Sequence, residues 1–118
     1  MTEQQVTAKT EEVERLLTGE WLYEGAHPQC LEFFKPASIG DWGSLNVTMY
    51  PVKTVLRTLE YEVLVAEYEV CINIRVKSAE QIVQYIILKL DSHEGQLWLR
   101  DSLNHALHYV RIKSQADS

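Results

Sequence analysis

The sequence predicts a mainly β protein: an eight-stranded antiparallel up-and-down barrel preceded by an N-terminal α-helix. Three observations carry this. From Glu67 to Lys77, Tyr68, Val70, Ile72, Ile74 and Val76 share one parity while Glu67, Glu69, Asn73, Arg75 and Lys77 share the other. A period of two is a strand with one buried and one wet face. Strand-like runs recur along most of the chain, separated by short stretches of turn residues, as in an antiparallel meander. One helical pattern precedes them. Closing eight such strands removes the exposed edges, so a barrel is the favoured outcome.

The helix is expected over residues 2–17. Thr2 and Gln5 have capping-box spacing, Val6, Val13, Leu16 and Leu17 recur at helical intervals, and Gly19 stands where a C-terminal cap belongs. Strand runs follow at Glu20–Glu24, Cys30–Lys35 and Ser44–Tyr50, the last ended by Pro51, which cannot donate to a ladder. Arg57–Ala66 alternates through Leu59, Tyr61, Val63 and Val65. No turn signal separates it from Glu67–Lys77, so either a tight hairpin near Ala66-Glu67 or one long bent strand fits. Gln81–Asp91, Gln96–Arg100 and His105–Lys113 complete the set, with Ser92-His-Glu-Gly95 and Asp101-Ser-Leu-Asn104 as turns. The expected organisation is one domain over residues 1–118: helix 2–17, barrel 20–113 and a polar tail 114–118.

Composition narrows function more than it identifies it. The net charge of −6 disfavours sequence-independent nucleic-acid binding and docking on anionic lipid. Neither a secretory leader nor an apolar run of membrane-spanning length is present in the sequence given, so cytoplasmic location is the expectation. Cys30 and Cys71 read as reduced, small apolar residues, with a disulfide or a metal pair as alternatives. His105 and His108 are three apart, which on a strand places them on opposite faces. No nucleophile elbow, phosphate-cradling glycine loop or paired Cys-x-x-Cys occurs, so neither an enzyme, a metal nor a cofactor is expected. Glu60, Glu62, Glu67 and Glu69 read as a solvated outer ladder balanced by Arg57, Arg75 and Lys77.

Leu17-Thr-Gly19-Glu-Trp21 puts Gly-x-Trp at the start of the first strand after a helix, and the last strand ends Tyr109-Val-Arg111-Ile. This arrangement resembles the calycin group, the lipocalin-like proteins with the smaller fatty-acid-binding and avidin-like barrels. Phe33-Phe34 and Ser38-x-Gly40-x-Trp42-x-Ser44 are similar in spacing to segments of its phycobilin-lyase branch, although the chain is much shorter. The resemblance implies a barrel holding an apolar or amphipathic small molecule, with a basic residue, Arg111 or else Arg100, over Trp21. Trp21, Tyr61, Val63, Tyr68, Val70 and Ile72 are then the expected interior, ligand-binding set.

Gln81–Leu90 is apolar on both parities: Ile82, Ile86, Leu88 and Leu90 on one, Val83, Tyr85 and Ile87 on the other. A strand apolar on both faces is covered on both. An outer patch of Val83, Tyr85, Ile87, Trp98, Leu107 and Tyr109 is therefore expected, covered at one edge by the helix and elsewhere by a second copy of the chain. That gives the alternative reading, a filled barrel acting as an interaction or assembly module through this face.

Overall fold

The structure is a computed structural model that describes residues 2–25, 27–38, 40–76 and 80–112. The expected strand end at Lys77 and the polar tail from residue 114 lie outside the described residues. Helix α1 spans Glu3–Leu17. Its capping box is formed: the Thr2 hydroxyl accepts from Gln5 N at 3.2 Å and Gln5 Oε1 accepts from Thr2 N at 2.9 Å. Val13 and Leu17 are its buried residues. Gly19, at φ +128°, turns the chain out of the helix and directly into the sheet.

Eight strands follow: β1 Gly19–Tyr23, β2 Gln29–Phe34, β3 Gly43–Met49, β4 Val55–Val65, β5 Val70–Arg75, β6 Ile82–Asp91, β7 Gln96–Arg100 and β8 Ala106–Arg111. Each pairs antiparallel with the next, and β1 pairs with β8, so the barrel is closed. Carboxylates shape two turns. Asp91 Oδ1 accepts from His93 N and Glu94 N, and Asp101 Oδ1 from Leu103 N and His105 N.

The core occupies one end of the barrel. Val13 and Leu17 of α1 cluster there with Trp21, Phe33, Leu45, Tyr61, Val63, Ile72 and Leu97. Thus α1 plugs the end at which β1 begins and β8 finishes, rather than lying along the outer wall as expected. Its narrow apolar stripe suits this position, because only two buried side chains are needed to seal a barrel mouth.

Between β4 and β5 the chain forms a hairpin, with Ala66 N donating to Glu69 O at 2.9 Å. Glu67, Tyr68 and Glu69 therefore belong to a turn. Tyr68, expected inside, is 93% exposed. The alternation that placed it there is real only from Val70 onward, since the strand begins at that residue.

The expected outer face is divided by the barrel wall. Opposed residues in a ladder share a face. Val70 faces Ile87, Ile72 faces Tyr85 and Ile74 faces Val83, so these β6 residues point inward with the core. Leu99 faces Leu107 and Leu97 faces Tyr109, which turns those two inward as well. Of that set only Trp98 is outside, opposite His108, their rings stacked 4.1 Å apart. Parity separates the two faces of a strand without saying which is inner; cross-strand register decides that.

A bulge accounts for part of the two-sided apolar pattern of β6, while Ile82 and Ile86 before it, opposite Arg75 and Cys71, stay on the outer face. Ile87 pairs with Leu99 and Lys89 with Trp98, leaving Leu88 as an extra residue. Beyond it the phase reverses, so Leu90 joins the interior and Lys89 the exterior.

Candidate functional site: the open half of the barrel

Opposite α1 the barrel is not filled. A cavity of about 360 Å³ opens between the ends of β2, β4, β5 and β6. Its floor is Leu45, Leu59 and Leu99, all buried; its walls are Leu31, Val47, Ile74, Val83, Tyr85 and Tyr109. Gln29, Arg57 and Gln81 stand at the mouth. An apolar hollow with a few polar groups at one end is the usual form of a small-molecule site.

Local sequence explains each polar group. Arg57 pairs with Val47 and has the inward parity of Leu59, Tyr61 and Val63, so it faces the lumen at the start of its strand rather than the outer surface assigned to it by charge balance. A bulge sits just beside it, where Thr48 pairs with Val55 and Leu56 is extra. Tyr109 packs at 5.3 Å from Tyr23, and burial pushes its phenol well above the ordinary tyrosine range. Burial also raises Tyr85, reinforced by Asp101 and opposed by the nearby Arg57. Both phenols therefore stay protonated and able to donate. The Tyr61 hydroxyl is used within the fold, donating to Phe34 O at 3.1 Å. Among the described residues no hydrogen bond joins the hydroxyls of Tyr85 and Tyr109 to the protein, and both residues line the cavity.

The residues expected to line the interior occupy the other half. Trp21, Tyr61 and Ile72 are fully buried, Val63 is 6% exposed, and all four belong to the packed core that α1 seals. Val70 is half-buried at the edge of that core. Conversely Val83, Tyr85 and Tyr109, expected outside, line the cavity. Gln81 was not anticipated as a site residue, and Arg57 was expected on the outer face. Arg57 carried one signal, a charged residue at inward parity, which marks either a strand end or a lumen group.

The closed half is held by Trp21 and Arg111, adjacent across the β1–β8 seam. The guanidinium lies 4.2 Å from the indole centroid, as the calycin resemblance implied. Both cysteines are buried and free. Among the described residues no group of three or more His, Cys, Asp and Glu side chains is placed to hold a metal ion. Among the described residues no helix is long and apolar enough to cross a membrane. Comparison with protein-family models, with curated proteins and with solved structures gives no match.

Proposed function

We propose that this protein is a calycin-like, non-enzymatic barrel that holds a small apolar or amphipathic molecule in the open half of its interior, in the cytoplasm. The observation that carries the reading is the cavity of about 360 Å³ floored by Leu45, Leu59 and Leu99 and open at one end. A barrel of eight strands can be filled by its own side chains. Here the large residues, Trp21, Phe33 and Tyr61, are concentrated at the helix end, and aliphatic side chains floor the other. The volume lies near the lower end of the roughly 300–1,000 Å³ typical of ligand clefts, which suits one or two rings or a short chain.

The test is fluorescence titration with the uncharged probe N-phenyl-1-naphthylamine, against wild type and Val47→Trp. Val47 is half-buried on the cavity wall, so an indole there fills the space without entering the sealed core. Micromolar binding, about −8 kcal/mol, is expected for wild type and none for Val47→Trp. Equal binding by both proteins would place the probe elsewhere and end the reading.

A second reading, self-association as a homodimer, rests on a different face from the one expected. Leu64, Ile82 and Leu88 are 44%, 48% and 48% exposed on β4 and β6, and Trp98 lies outside on β7. A large exposed apolar patch on a sheet is commonly covered by a partner. Sedimentation of wild type against Leu88→Lys at tens of micromolar decides it: a dimer is expected to split in the variant, and a monomeric wild type removes the reading.

A further inference from the structure

We propose that the ligand of this cavity is a small organic anion, its acid group held at the mouth by Arg57 with Tyr85 and its apolar body resting on Leu45, Leu59 and Leu99. This rests on the reading of the open half as a ligand site and names the chemistry of what enters it.

The position of Arg57 is the first argument. Its backbone is registered with Val47 and its side chain lines the cavity. In a chain of net charge −6, a cation at the mouth of the apolar hollow makes that opening locally attractive to anions. Three other cations are engaged within the fold, among them Arg75, which also lines the cavity. Arg75 pairs with Glu60 at 3.1 Å, Lys53 with Glu20 at 3.1 Å, and Arg111 donates to the carbonyls of Thr18 and Leu16. Among the described residues no carboxylate lies within 4.0 Å of Arg57.

The second argument is the character of the surrounding groups. Asp101 is the carboxylate that faces Tyr85, but its Oδ1 accepts from Leu103 N and His105 N, and His105 Nδ1 lies 3.4 Å from its Oδ2. It is committed to its turn and does not compete for the guanidinium. Guanidinium only donates, and the protonated phenol and the Gln29 and Gln81 amides can donate too. An oxyanion accepts from all of them, in charge-assisted bonds to the guanidinium. A cationic ligand would meet repulsion at Arg57, and a neutral one would gain nothing from it.

Size completes the assignment. The buried floor stops a ligand at the middle of the barrel, and 360 Å³ equals about twelve waters of liquid volume. A two-ring or short-chain acid rests on that floor with its acid group at the mouth.

The experiment compares two probes that share a skeleton, 1-anilinonaphthalene-8-sulfonate and uncharged N-phenyl-1-naphthylamine, on wild type, Arg57→Gln, Arg57→Lys and Val47→Trp. The sulfonate is expected to bind wild type at least about tenfold tighter. Arg57→Gln should erase that preference by weakening the sulfonate about tenfold more than the neutral probe, Arg57→Lys should keep part of it, and Val47→Trp should lose both probes. Arg57 is exposed, so the melting temperature of its variants should match wild type. Equal affinity of the two probes for wild type overturns the anion assignment while leaving the ligand site standing. A preference that survives Arg57→Gln overturns it as well. Failure of both probes to bind removes the ligand site and the anion together.

Discussion

Trp21 and Arg111 join the last strand to the first and both to the helix. The Arg111 guanidinium stacks 4.2 Å from the Trp21 ring, donates from Nη1 to Thr18 O at 2.9 Å and from Nη2 to Leu16 O, while Trp21 Nε1 donates to Leu17 O at 2.9 Å. The last carbonyls of a helix lack intrahelical partners. Here three successive carbonyls are satisfied by two side chains of the barrel, and a cation lies at the negative end of the helix dipole. The plug and the seam are thus one unit.

This predicts a graded series. Trp21→Ala removes a fully buried indole and should cost about 3–5 kcal/mol. Arg111→Lys keeps the charge but cannot stack flat and reach two carbonyls together, so it should cost about 1–2 kcal/mol, less than Arg111→Met. Denaturant unfolding measures the order. If Arg111→Lys is as stable as wild type, the fork geometry is not what holds the helix.

Gly43 faces Tyr61 across the β3–β4 ladder. A Cβ there would lie 2.5 Å from Tyr61 Cε1 and 2.8 Å from Phe34 O. One obstacle is backbone and the other a ring fixed by its bond to Phe34 O, so neither yields cheaply. Gly43→Ala should destabilise by about 1–3 kcal/mol through overpacking. The double variant Gly43→Ala with Tyr61→Leu should recover part of that loss, and additive costs would show that the ring is not the obstacle.

Tyr61 and Tyr109 set an alkaline limit. Burial raises both phenols above the ordinary tyrosine value of about 10, with Glu14 adding to Tyr61 and Tyr85 to Tyr109. Below pH 10 folded and unfolded chains both hold the protons, and the stabilisation is fully present. Above it the unfolded chain releases them while the folded chain does not, so stability falls as pH rises towards the folded values. Each phenol should contribute up to about 1.4 kcal/mol per pH unit in that window. Urea midpoints between pH 9 and 11 should decline, and less steeply in Tyr61→Phe. An unchanged slope in that variant would contradict the assignment.

The class, the helix and the eight strands were legible because each is written locally, in parity, turn residues and a capping box. What was not legible is non-local. Val83, Tyr85 and Ile87 could be grouped on one face, but only their pairing with Ile74, Ile72 and Val70 shows that this face is inner. Tyr68 continues the alternation of β5 into a turn that lacks glycine and proline, so no residue announced the hairpin. The candidate site suffered most. Its floor and mouth combine β2, β3, β4, β7 and the residue before β6, and the choice of which half is packed and which is hollow depends on where α1 docks.

Leu88 gives the sharpest test of the register. It is the extra residue of β6, placed between Ile87, which faces Leu99 inside, and Lys89, which faces Trp98 outside. Removing it leaves Val83, Tyr85, Ile87 and Leu90 inward and Lys89 outward, so the pattern becomes a regular strand. Leu88 is 48% exposed, and its deletion discards little buried area. The deletion should therefore fold, losing only the bend and twist that the bulge supplies. Deleting Ile72 instead would shift the following part of β5 by one residue and turn Asn73 towards the core while Ile74 turned out, and should abolish folding. Leu99→Ala serves as the scale, at about 2–5 kcal/mol for a buried leucine. Thermal unfolding by circular dichroism ranks the three proteins. Loss of Leu88 should lower the melting temperature less than Leu99→Ala does, and a deletion as damaging as that of Ile72 would mean that the phase reversal in β6 has been misassigned.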